Sequence, residues 1–195
     1  EDHGIHALFF WDQGQKLIAT AVDVACPAQE VEGNLAVNAD FWHETRQLLQ
    51  ARHGEGLVVL GWIGAAGDQS PHLMYRKAAE ERMRKLRGLT RLQEIARRID
   101  AAWADAYEAA QKESHAEVVF AHRVQTIELP ARVVTEQECE QAKVQAEKLS
   151  KDPKQGTLMR WHLRVVERFE TQQAGKSEPY AMELHAVRLG EVAIA

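Results

Sequence analysis

Asp68, Ser70 and His72 stand at alternate positions in the stretch Gly64-Ala65-Ala66-Gly67-Asp68-Gln69-Ser70-Pro71-His72. A hydroxyl and an imidazole so close together raise the question of a nucleophilic serine. A Ser hydroxyl becomes a nucleophile when a base or a metal-bound water is near. The small residues before it let a substrate approach the backbone. His72, directly after Ser70-Pro71, is a candidate hydrogen-bond partner or base. The same residues also read as a helix start, with Ser70 as N-cap and Pro71 as first helical residue. The two readings share a geometry, because a helix N-terminus presents free N–H groups and a positive dipole end to a developing oxyanion. The stretch is not Gly-x-Ser-x-Gly, so it is not a hydrolase nucleophile elbow. It lacks the Lys of a nucleotide phosphate loop.

Cys26 precedes Pro27 at the end of a predicted strand. It reads either as a small buried thiol or as a thiolate ligand lining a site. The nine histidines are scattered. His43 and His53 show no His-x-x-x-His or Glu-x-x-His pairing. His3 and His6 share a segment near the start, at a spacing that is only weak evidence for a metal. His162 and His185 read as structural or exposed.

These residues must be positioned by a fold, and the elements follow from local pattern. Ala7 to Trp11 and Leu17 to Ala25 flank the turn signal Asp12-Gln13-Gly14-Gln15, which predicts a hairpin ended by Pro27. Asn38-Ala39-Asp40 offers caps for a helix over Phe41 to Arg52, stopped by Gly54 or Gly56. A strand over Leu57 to Ile63 follows, so strand, helix and strand suggest a parallel pair. Past Ser70 a helical stretch is interrupted at Gly88. Thr90-Arg91-Leu92-Gln93 is a capping box, and Leu92, Ile95, Ala96, Ile99, Trp103 and Ala106 form a buried stripe. Glu117 to Val134 reads as β, and Thr135-Glu136-Gln137-Glu138 caps a helix to about Leu149. A polar helix covers Thr157 to Gln172. Strands over Tyr180 to Leu189 and Val192 to Ala195 close the chain around Gly190. The expected class is α/β: a mixed, largely parallel sheet with flanking helices.

The 195 residues, 45% hydrophobic and 27% charged, suit a folded domain with a real core. The net charge of −5 argues against a nucleic-acid partner. The basic stretch from Arg76 to Arg98 is interspersed with Glu80, Glu81 and Glu94, as on a solvated helix surface. Two cysteines, Cys26 and Cys139, make no disulfide framework. No apolar run is long enough for a transmembrane segment. The chain opens at Glu1 and stops at Ala195 inside an apolar run, which reads as an internal piece of a longer protein.

Gly67-Asp68-Gln69-Ser70-Pro71-His72 resembles the Gly-Asp-x-Ser-Pro-Asn motif of the neutral/alkaline (non-lysosomal) ceramidase family, in which the Ser is the nucleophile. The surroundings are similar in order. Leu17 to Ala28 resembles the family strand that ends in a His-Pro pair. Asn38-Ala39-Asp40 resembles its Ser-Asp segment, and Gln93 to Tyr107 the helix after its Ser motif. Ala121-His122-Arg123-Val124 resembles its Ala-His strand, and Leu189 to Ala195 the strand leading to its metal-binding Glu. The resemblance implies residues 1–195 as a single domain, an internal portion of a larger ceramidase-like catalytic domain. It implies a zinc-assisted hydrolase that cleaves the N-acyl bond of a lipid-like or small amide substrate. Ser70 would be the nucleophile, Asp68 would orient the loop, and His72 would line the site.

The chain departs from the family at two matching positions. Cys26 replaces the zinc-binding His of the His-Pro pair, and His72 replaces the Asn. The family's first zinc His belongs upstream of Glu1 and its zinc Glu just past Ala195. Zinc is therefore expected in the intact protein and not in this chain alone, with Cys26 the candidate ligand here. The rival reading is a non-catalytic binding or scaffolding domain that has lost the zinc site. A third is a metal-free hydrolase in which Cys26 or Ser70 works with His72, which requires Cys26 and His72 within hydrogen-bond reach. The family lean is to an exported or membrane-associated protein.

Overall fold

In the computed structural model, which describes residues 3–195, the aromatic run near the start forms strand β1 (Ile5–Trp11) and the β-branched run after it forms β2 (Leu17–Val24). They pair antiparallel, from Ile5 opposite Val24 to Trp11 opposite Leu17. The turn closes because the Asp12 carboxylate accepts the backbone N–H of Gly14 (2.8 Å) and of Lys16 (2.9 Å). Helix α1 (Phe41–His53) then carries the chain to β3 (Val58–Ile63). β3 lies parallel to β2, from Ala19 beside Val58 to Val24 beside Ile63. The sheet order is β1-β2-β3. These elements, with α2 (Lys77–Leu86) and α3 (Arg91–Ala110), belong to the first of two compact units, Glu1–His115.

The core of this unit comes from the predicted stripe of α3 meeting the sheet and α1. Val22, Phe41, Leu49, Val59, Ile99 and Trp103 are all buried there. Burying Trp103 requires a partner for its indole N–H. Trp103 Nε1 donates to Thr20 Oγ1 at 3.0 Å, and the Thr20 hydroxyl donates to the Leu8 carbonyl at 2.9 Å. The bond therefore joins α3 to the middle of the sheet. Phe9, His53 and Tyr107 rings surround the same indole. Gly61 is required by close approach, since a methyl group there would overlap the Trp42 indole.

The capping box of α3 forms as its sequence predicts: Thr90 Oγ1 accepts from Gln93 N (3.2 Å) and Gln93 Oε1 accepts from Thr90 N (2.9 Å). One turn on, Glu94 is buried among Arg87, Arg97 and Arg98, each at 3.0–3.1 Å from its carboxylate. The Arg97 hydrogen bond leads in pulling the Glu94 pKa down to about 2, against burial, which opposes it.

The second unit, Ala116–Ala195, holds β4 (Phe120–Leu129), α4 (Glu136–Leu149), α5 (Gly156–Gln173), β5 (Tyr180–Leu189) and β6 (Val192–Ile194). Its sheet is wholly antiparallel, in the order β4-β5-β6. Gly190 turns β5 into β6 at φ +60°, where glycine carries no steric cost. Helices α4 and α5 pack on each other. The small residues Cys139, Ala142 and Ala146 are buried on one face of α4. The Gln172 amide clamps Val134 by donating to its carbonyl (3.0 Å) and accepting its N–H (2.9 Å).

The expected largely parallel, layered α/β sheet is thus replaced by two small three-stranded sheets, one mixed and one antiparallel. The reason lies in the connections. A single helix between β2 and β3 carries the chain to the far end, which gives the parallel pair. The tight turn at Asp12 forces β1 against β2. Two helices between β4 and β5 return the chain to the end it left, so that pair is antiparallel as well.

Candidate functional site

Because β2 and β3 run parallel, the segments that leave them emerge at the same edge. Cys26 and Pro27 follow β2, and the loop with Ser70 follows β3. The Gly64 N–H donates to the Val24 carbonyl at 3.0 Å, joining the two exits at their base. Asp23 packs against Gly64, leaving little room for a side chain there.

Ser70 and Asp68 are exposed, His72 is partly buried and Pro71 is buried. Ser70 Oγ accepts the His72 backbone N–H at 3.2 Å. Among the described residues no hydrogen bond links the Ser70 hydroxyl to the His72 ring. Among the described residues, Asp68 hydrogen-bonds only with its neighbour Gln69, at 3.5 Å. The three residues therefore share one loop without forming a relay. Helix α2 begins only at Lys77, capped by Arg76 in the left-handed region (φ 53°). The expected helix start at Ser70 is corrected: Ser70 caps no helix, and no helix dipole meets its hydroxyl. The cause is Pro71, whose carbonyl accepts from Arg91 Nη2 at 2.7 Å. That contact anchors the segment as a loop.

Arg91 is the hub that the sequence does not reveal. Its Nε reaches Glu30 Oε1 at 3.1 Å while Nη2 holds Pro71. The first residue of α3 thereby joins the loop after β2 to the loop after β3. A cation at a helix N-terminus opposes the helix dipole, and this mismatch was the one available signal. Glu30, 61 positions away, offered none. Its second oxygen, Oε2, is buried without a partner.

Asp40 completes the neighbourhood. It is buried at φ 52°, ψ −144°, a conformation that costs a non-glycine residue about 1–3 kcal/mol. Three bonds hold it there. Its carboxylate accepts the Val31 N–H (2.9 Å) and the Phe41 N–H (2.9 Å), and its own N–H donates to Asn38 Oδ1 (2.6 Å).

Cys26 is half-buried, and its thiol points a weak bond at the Pro27 carbonyl, 3.7 Å away. Burial leads in pushing its pKa up, reinforced by the charges of Asp40 and Glu30 and opposed by Arg91. The thiol is therefore held protonated, which disfavours it as a nucleophile. Among the described residues no hydrogen bond joins Cys26 to His72, so the metal-free Cys–His pairing is not assembled.

The residues present do not by themselves fit a zinc ion. Among the described residues no group of three or more His, Cys, Asp or Glu side chains is placed to hold a metal. Both Asp40 oxygens are engaged by backbone N–H groups, and Glu30 is engaged by Arg91. Among the described residues, no helix is long and apolar enough to cross a membrane. Compared with protein-family models, curated proteins and solved structures, the chain finds no match in any of the three.

Proposed function

We propose that this chain is part of a ceramidase-like hydrolase that cleaves the N-acyl bond of a lipid-like amide, with Ser70 as nucleophile. One observation carries the reading. Ser70 lies exposed on the loop leaving the C-terminal end of a parallel strand pair, the edge at which α/β folds bind ligands. The Gly-Asp-x-Ser-Pro pattern supplies the chemical class. The Ser70 proton is not engaged by His72, so activation needs a group from outside this chain. Zinc assistance, implied by the resemblance, likewise needs ligands beyond those present here. Asp68 and His72 line the approach to the hydroxyl, and Arg91 sets where the loop stands.

The test is Ser70→Ala in the full-length protein, assayed on a short-chain fluorescent N-acylsphingosine. Cleavage is abolished while the far-ultraviolet circular dichroism is unchanged. Turnover at the wild-type rate would remove Ser70 from the mechanism.

The second reading is a binding or scaffolding domain that keeps the fold. It is favoured by Ser70 Oγ having no basic partner among the described residues and by the raised pKa of the half-buried Cys26. Full-length protein that binds the amide without cleaving it, in wild type and variant alike, would establish that reading.

A further inference from the structure

His122 on β4 and His185 on β5 are 63 residues apart in the chain, yet His122 Nε2 and His185 Nδ1 lie 3.0 Å apart. The register explains the meeting. His122 stands opposite Val187 and Val124 opposite His185, so the two histidines are diagonal neighbours on one face of an antiparallel pair. Both are exposed. Their rings lie nearly edge to edge, with centroids 5.2 Å apart and planes 20° apart, so the two facing nitrogens point at one another across a hydrogen bond. Glu183 shares that face, two residues before His185, and its Oε2 lies 3.8 Å from His185 Nε2.

We propose that His122 and His185 form an open chelate for a late first-row divalent cation such as Ni2+ or Cu2+. Metal–imidazole bonds of about 2.0–2.1 Å place two nitrogens about 2.9 Å apart at a right angle and about 3.3 Å apart at a tetrahedral angle. The 3.0 Å of the shared hydrogen bond already holds the two nitrogens near the span that one metal bridges, and the choice of Ni2+ or Cu2+ rests on their strong affinity for imidazole. Glu183 Oε2, 3.8 Å from the other nitrogen of His185, is too far to hydrogen-bond it but near enough to favour a proton there, leaving the inner nitrogen free for a metal. The proton shared between the rings moves to the outer nitrogen of His122 when both inner nitrogens bind the metal. The remaining coordination positions stay open to water. On the same face the flanking Val124 and Val187 bring no competing cation. This site is independent of Ser70.

The experiment is isothermal titration of the full chain with NiCl2 at neutral pH, repeated on His122→Asn, His185→Asn and Glu183→Gln. Each histidine variant weakens Ni2+ binding by at least about tenfold, and Glu183→Gln by about tenfold. Cu2+ bound to the wild type shows hyperfine coupling to two nitrogens in electron paramagnetic resonance. Wild-type protein that binds no Ni2+ at millimolar concentration would overturn the proposal. So would a double variant, His122→Asn with His185→Asn, that binds Ni2+ as the wild type does.

Discussion

The two sheets are built from similar strand signals and have different fates. β2 buries five of its eight residues, whereas β4 buries none of its ten and leaves all but one exposed. The difference is not in the strands. The first sheet receives the aromatic stripe of α3, and the Trp103–Thr20 bond locks the two together. In the second unit the buried apolar groups lie off the sheet, at Val134 just before α4 and at Cys139, Ala142 and Ala146 on it. Aromatic and β-branched runs specify a strand, but a facing amphipathic element is what turns a strand into core.

The contrast is broken most strongly at Trp103. Replacing it with Ala should destabilise the first unit by about 4 kcal/mol in urea unfolding followed by circular dichroism. A loss below about 1 kcal/mol would mean that α3 is not the element that makes the first sheet a core.

A smaller effect comes from Glu94, the buried charge of the same helix. Glu94→Gln should cost about 2 kcal/mol in the same assay, because three arginines lose their carboxylate. Its folded-state pKa of about 2 lies below the ordinary 4.5. The stabilisation it gives is therefore complete above the ordinary value and fades as the pH falls toward the folded one. The variant should lack that part of the acid transition. An acid limb identical in both proteins would remove Glu94 from the account.

The smallest effect sharpens the other side of the comparison. Phe120, at the start of β4, is 68% exposed. Phe120→Ser should change stability by no more than about 0.5 kcal/mol. A cost of several kcal/mol would show that the second sheet is covered after all.

Local patterns were legible in the sequence because local contacts decide them. The Asp12 turn, both capping boxes, the α3 stripe and the parallel β2–β3 pair all follow from residues a few positions apart or from one connection length. The parity of connections was equally readable but competes with the habit of expecting one continuous sheet. The start of α2 was not legible. Ser70-Pro71 is a good local cap, and Arg91, twenty residues on, overrides it by holding the Pro71 carbonyl. The Glu30–Arg91 and His122–His185 pairs were invisible for the same reason, since only the folded chain brings them together. Cys26 shows a third kind of gap: its position was readable, but not the burial, reinforced by the charges of Asp40 and Glu30, that raises its pKa.

The helical hairpin between β4 and β5 has a consequence for how the second unit forms. At the far end of the ladder Phe120 must meet Leu189, 69 positions along the chain (189 − 120). Closing so long a loop as free chain is slow and entropically unfavourable. Helices α4 and α5 form from local contacts, and when they fold back on each other they carry Leu129 toward Tyr180. The strands can then zip from that end one pair at a time. The polar helices thus act as a folding guide for a sheet that has little core to draw it together.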